Sequence, residues 1–140
     1  MNIRIKKLDS RAAMPAYVHP GDAGMDLFAL EDTVLAPGEL KAVKTGISME
    51  IPDGHVGLIW DKSGIAIKEG LKVMGGVVDS GYRGEIMVGM VNLSKKEYRF
   101  EAGHKVAQML IQKVEHPEIV EASELTETKR GAGGFGSTGK

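Results

Sequence analysis

The sequence predicts an all-β fold, a barrel or jelly roll of short strands with one short helix, and three observations predict it. Glycine, at 19 residues, recurs every few positions between short β-branched stretches, as tight turns joining strands require. Period-two alternation marks Ile47-Ser48-Met49-Glu50-Ile51. Apolar stripes at helical spacing are scarce. A chain of 140 residues with 42% hydrophobic content suffices for one compact domain and is too small for two ordinary ones.

In chain order, Ala36-Pro37-Gly38-Glu39 punctuates the first two candidate strands. The run 47–51 is followed by the turn Pro52-Asp53-Gly54 and by the extended stretch 55–60, which together read as a hairpin. Ser63 stands where a helix N-cap would, residues 64–69 form a turn or two of helix, and Gly70 supplies the left-handed stop. Residues 85–93 and 106–114 are further strand-like runs. A charged, threonine-containing stretch, 115–129, leads into a glycine-rich arm, 130–140. That arm carries too little apolar surface to offset its ordering entropy alone and is expected to be mobile until something binds.

Composition excludes several function classes. With Lys+Arg 18 against Asp+Glu 19 the net charge is −1, so no overall field favours nucleic acid or an anionic membrane. Absence of cysteine removes disulfides, thiolate nucleophiles and cysteine-bound zinc. Residues 1–7 alternate apolar and charged side chains and lack the apolar block of a signal peptide, and no apolar run is long enough to span a bilayer. The expectation is a soluble, cytoplasmic protein.

Five segments carry chemistry, each with a plain structural alternative. In residues 23–29, Asp26 lies among small and apolar neighbours and needs a cationic or amide partner; it is a candidate for orienting other groups. Lys62, Ser63 and Gly64 open the helix, where ammonium, hydroxyl and unpaired amides suit an anion, or simply make an ordinary helix start. In residues 75–85, Gly75 and Gly76 allow close backbone approach, Asp79 is a candidate general base and Tyr82 offers a ring face to a sugar; alternatively Asp79 caps a turn and Tyr82 covers the core. Gln108, in an apolar strand, must find partners or line a wet site. The arm matches a dinucleotide fingerprint at 131–136 and most of a P-loop at 134–140, but both need a strand before and a helix after. What survives is polyphosphate wrapping by glycine amides, Arg130, Ser137 and Thr138, with Phe135 free to stack on a base, or a solubilising tail. His19, His55, His104 and His116 show no metal-ligand spacing.

In this order and spacing the five segments, 23–29, 62–64, 76–85, 103–108 and 130–139, resemble the five signature motifs of the trimeric dUTPase family. The resemblance implies a distorted jelly-roll or β-clip barrel of the dUTPase type, residues 1–129, assembled as a homotrimer, with arm 130–140 closing over a neighbour's site. It implies that Asp79 activates the water attacking the α-phosphorus of dUTP, releasing pyrophosphate and dUMP. Tyr82 would pack under the deoxyribose and exclude a 2′-hydroxyl. Main-chain groups around Gly76, Val77, Val78 and Met87 would read uracil. Lys62, Ser63, Gly64, Gln108, Arg130, Gly136, Ser137 and Thr138 would hold phosphates while Phe135 stacks over the base, with Asp26 in support. Mg2+ would be carried by the triphosphate and water, without direct protein ligands.

Two features depart from the family pattern. Residues 71–79 contain no asparagine, so backbone alone must contact the base, and Lys62 and Lys105 stand where many members carry arginine, losing the planar fork. Two rivals remain: a dCTP deaminase of the same fold, which would need a glutamate near the base that residues 75–84 lack, and a non-catalytic dUTP sensor, for which an attacking-water base is superfluous.

Overall fold

The structure, a computed structural model, describes residues 1–134. In order these form β1 (Arg4–Lys7), β2 (Met25–Phe28), β3 (Thr33–Leu35), β4 (Leu40–Lys44), β5 (Ile47–Glu50), β6 (His55–Trp60), α1 (Ser63–Glu69), β7 (Leu71–Met74), β8 (Val77–Val78), β9 (Met87–Asn92), β10 (Tyr98–Phe100) and β11 (Lys105–Lys113). The sheets are β2-β11-β6-β8 and β4-β9-β7, with two-stranded pairs β1-β5 and β10-β3. All ladders are antiparallel, and among the described residues none joins two strands consecutive in sequence. The chain therefore passes back and forth between sheets, as a jelly roll does. No helix among the described residues is long and apolar enough to cross a membrane.

That topology corrects the hairpin expected at 47–60. The turn exists, with the His55 N–H donating to the Pro52 carbonyl at 3.1 Å and Gly54 at φ 71°. However, β5 pairs with β1, whereas β6 pairs with β11 and β8. Ile47, Ser48 and Met49 are all buried, so β5 is covered on both faces and its alternation does not mark a core side and a solvent side. The turn serves as a corner between sheets.

A second correction concerns α1. Lys62, not Ser63, is the N-cap, with extended φ/ψ and no side-chain capping bond. Gly70 closes the helix as expected, at φ 71° and ψ 29°, its N–H reaching back to the Ala66 carbonyl.

Phe100, Leu27, Leu35, Ile47, Met90 and Met109 are among the side chains removed from solvent, and each such large apolar group stabilises the fold by about 1.5–3 kcal/mol. Alternation along β9 turns Val88, Met90 and Asn92 inward and leaves Met87, Gly89 and Val91 outward. Buried Asn92 is satisfied on both ends: Nδ2 donates to the Leu35 and Lys96 carbonyls, and Oδ1 accepts from the Ser94 N–H and hydroxyl. Beyond β11, residues 114–134 contain no strand or helix and are almost wholly exposed.

Candidate functional site

Strand order brings three of the chemistry-bearing segments together. β11 lies between β2 and β6, with Gln108 opposite Asp26 on one side and Trp60 on the other. Lys105 starts the same strand, and Lys62 follows the end of β6. Asp26, 3% exposed, accepts a hydrogen bond from Lys62 Nζ at 2.5 Å on Oδ1. Lys105 Nζ lies 2.8 Å from Oδ2, outside hydrogen-bond angles, so that contact is Coulombic. Burial pushes the Asp26 carboxyl up, but Lys105 and Lys62 outweigh it and hold it below the usual carboxylate value. One carboxylate thus faces two ammonium groups.

These residues line a cavity of about 300 Å³ with Gly24, Gln108, His19 and Asp22. Gln108 Nε2 donates to the Asp61 carbonyl at 2.8 Å, which leaves Oε1 as an open acceptor among the described residues. Asp61 fixes that geometry: its Oδ1 accepts from the Val73 N–H at 2.6 Å and its Oδ2 from Lys72 at 2.7 Å, tying β6 to β7. A Cβ at Gly24 would come 2.8 Å from Gln108 Oε1, so glycine there keeps the amide in place.

The remaining motif builds a different cavity of about 220 Å³, lined by Ile59, Gly76, Val77, Val78, Asp79, Tyr82, Glu85, Ile86 and Met87. β8 is the end strand of its sheet, pairing with β6 on one edge only. The paired glycines have a local reason: both have positive φ, and a Cβ at Gly76 would come 2.7 Å from the Ile59 carbonyl, whose N–H bonds the Gly76 carbonyl. Asp79 is exposed and its carboxylate meets no donor among the described residues; only its carbonyl is used, by the Tyr82 N–H at 3.1 Å. Tyr82, 44% exposed, donates its hydroxyl to the Glu85 carbonyl at 3.0 Å. The turn-cap and core-cover alternatives for Asp79 and Tyr82 are therefore not what the chain adopts.

Two residues that the sequence reading passed over help hold this loop. Buried Thr45 donates its hydroxyl to the Ile86 carbonyl, and Ser48 donates to the Arg83 carbonyl at 2.7 Å. Glu85 Oε1 accepts the Gly46 N–H at 2.9 Å, and the Ile86 N–H reaches the Ile47 carbonyl at 2.8 Å. The available signal was a hydroxyl between apolar residues of β5 and another in the link just before it, since buried polar groups must find partners.

The chain does not bring every candidate together. The two cavities share no lining residue. Ser63 and Gly64 are exposed and line neither, and Arg130 bonds the Gly133 carbonyl at 2.8 Å. Phe135, Gly136, Ser137 and Thr138, and the expected mobility of that arm, lie outside the described residues. Among the described residues no three His, Cys, Asp or Glu side chains converge as a metal cage. Asp26 is occupied by lysines and Glu85 by Gly46, leaving Asp79 and the Gln108 amide oxygen as oxygen donors. These two donors line separate cavities and form no ligand set among the described residues, as suits a hard cation that keeps its water and arrives on an anionic ligand.

A family model for dUTPase matches residues 10–139. Deoxyuridine 5′-triphosphate nucleotidohydrolases are similar throughout: that of Thermobifida fusca is 47% identical over 99% of this chain and 79% of its own length. That of Nautilia profundicola is 44% identical with all of both chains covered. Among solved structures, a Staphylococcus bacteriophage 80alpha dUTPase with dUPNHPP superposes at TM-score 0.94, with 30% identity and 99% of each chain covered. A mutant dUTPase from phage phi11 of S. aureus, described as revealing the coordination of a structural Mg(II) ion, superposes at 0.85 with 28% identity, covering 91% of this chain and 100% of its own.

The Asp26 environment has a pH consequence. Its folded pKa lies below the ordinary aspartate value, so its stabilisation is present above that ordinary value and is lost as pH falls through the folded one. Urea midpoints of the natural protein and Asp26→Asn should differ by a constant amount above about pH 5, the difference shrinking as acid is added. Other depressed carboxylates are common to both proteins and cancel. A difference independent of pH down to unfolding would contradict this.

Proposed function

Because the chain belongs to the dUTPase family and is a dUTP diphosphatase, a hydrolase, we propose that Asp79 is its general base. The observation that carries this reading is a carboxylate without a partner among the described residues, three residues before an exposed tyrosine and lining the same cavity. Asp79 takes a proton from water as the oxygen attacks the α-phosphorus in line; the bond to the oxygen bridging the α- and β-phosphorus breaks, and pyrophosphate leaves dUMP behind. In the cell this reaction would limit uracil entry into DNA and supply dUMP for dTMP synthesis, in the cytoplasm.

Uracil is read by main-chain groups of Gly76, Val77, Val78 and Met87, supported by the open outer edge of β8. Tyr82 packs under the deoxyribose. The cluster of Lys62, Lys105, Asp26 and Gln108 takes the phosphates, together with Ser63, Gly64 and, from arm 130–140, Arg130, Gly136, Ser137 and Thr138, while Phe135 stacks on the base. Lys62 and Lys105 are aimed by Asp26. Mg2+ bound with the triphosphate would supply charge neutralisation, with Gln108 and Asp26 orienting the surrounding waters. Glu85 lines the base cavity, one position beyond the segment free of glutamate, but its Oε1 is committed to Gly46, which favours an anchoring role over deamination.

A complete site needs both cavities, yet they share no residue, which supports assembly from more than one copy, a homotrimer in this reading. The outer face of β4-β9-β7 exposes Leu40, Met74 and Met87, apolar surface that a partner copy would cover.

Pyrophosphate release tests the base. Asp79→Asn should lose turnover by about 10²–10⁴-fold while still binding dUTP, with dTTP, dCTP and UTP poor substrates for the natural protein. Ammonia release from dCTP, or dUTP binding without hydrolysis by the natural protein, would overturn the assignment. Co-refolding inactive Asp79→Asn with inactive Gln108→Ala chains tests sharing: mixed assemblies should regain a fraction of activity. No recovery in assemblies shown to be mixed would mean that each site lies within one chain.

A further inference from the structure

Gly84 stands at the one place in the 79–86 loop where a side chain would displace the tyrosine ring. Its φ lies outside the left-handed region, so the backbone would accept any L-residue there. A Cβ built on it, however, meets the Tyr82 hydroxyl oxygen, Cζ and Cε2, the last at 2.9 Å, all closer than real Cβ atoms approach. The hydroxyl end of the ring crowds this glycine, with the hydroxyl bonded to the Glu85 carbonyl one residue further on. Gly81, in the same loop and also without positive φ, has nothing within 4 Å of its Cβ position.

We propose that Gly84 is a specificity-determining position, a backbone seat that fixes the plane and height of the Tyr82 ring and thereby the exclusion of ribonucleotides. The inference rests on the reading of Tyr82 as the surface under the sugar. The atoms in conflict are the far end of a flexible side chain, so a methyl group at 84 moves the ring rather than the fold. A displaced ring loses its Glu85 hydrogen bond and opens space beside the sugar. The consequence falls on discrimination and not on stability, because a 2′-hydroxyl is rejected only by a surface held within its van der Waals reach. Gly84 touches no substrate in this account; it acts through Tyr82.

The test compares kcat/KM for dUTP and UTP, with thermal midpoints, in Gly84→Ala, Gly81→Ala, Tyr82→Ala and the double variant Gly84→Ala/Tyr82→Ala. Gly84→Ala should keep its thermal midpoint and lower the dUTP-to-UTP ratio about tenfold, the scale on which pockets resolve one small group. Gly81→Ala should leave the ratio unchanged. In the Tyr82→Ala background, which lacks the ring, Gly84→Ala should leave the ratio unchanged. An unchanged ratio in Gly84→Ala, an equal loss in Gly81→Ala, a collapsed thermal midpoint, or fully additive effects would each overturn the proposal. Tyr82→Ala separates the two levels: if it leaves the ratio intact, the reading of Tyr82 itself fails; if it lowers the ratio while Gly84→Ala does not, only the role of Gly84 fails.

Discussion

The loop that carries Asp79 and Tyr82 has almost no regular secondary structure of its own, and its position depends on one short seam. Four consecutive residues, Thr45, Gly46, Ile47 and Ser48, bond Ile86, Glu85 and Arg83 through two hydroxyls, one amide to a carboxylate and one main-chain pair. Thr45 and Ser48 are buried, so an unmade bond would leave a hydroxyl and a carbonyl desolvated together. Gly46 permits the seam: its φ is 69°, and a Cβ there would strike Leu30 and Ala12 in the core. The cost of breaking any part is therefore carried by the core, and the loop inherits rigidity that its glycines would otherwise deny it.

Tyr82 and Arg83 are then placed by local bonds within that frame. The Tyr82 N–H closes the turn onto Asp79, and the Arg83 guanidinium bonds the Ser80 carbonyl at 2.6 Å and the Tyr82 carbonyl at 2.9 Å. The cluster of Lys62, Lys105, Asp26 and Gln108 is organised differently, by charge on or just beyond three adjacent strands. Asp26 there holds two lysines, and Asp61 holds Gln108. Lysine reaches Asp26 as a point charge, one contact directed and one not, whereas a planar fork would have engaged both oxygens.

Much of this was legible in the sequence. Glycine punctuation and period-two runs gave the strands at 55–60, 85–93 and 106–114, and Gly70 gave the end of α1, because these features depend on local chain geometry. Asp26 was legible because a carboxylate among apolar neighbours requires a cation. What was not legible is which strands pair. The run 47–60 looks like a hairpin locally and is a corner globally, since β5 is covered on both sides and pattern alone does not report that. Thr45 and Ser48 were missed for the same reason: their partners lie about forty positions away.

Removing the two buried hydroxyls, Thr45→Val with Ser48→Ala, tests the seam most directly, read by amide hydrogen exchange at Ile86 and Tyr82 alongside dUTP turnover. The account predicts a folded protein whose amides in residues 79–86 exchange faster while those of β11 do not, and whose turnover falls by roughly tenfold or more, as misplaced catalytic groups cause. Unchanged exchange across 79–86 with full turnover would show that the loop is held by something other than this seam.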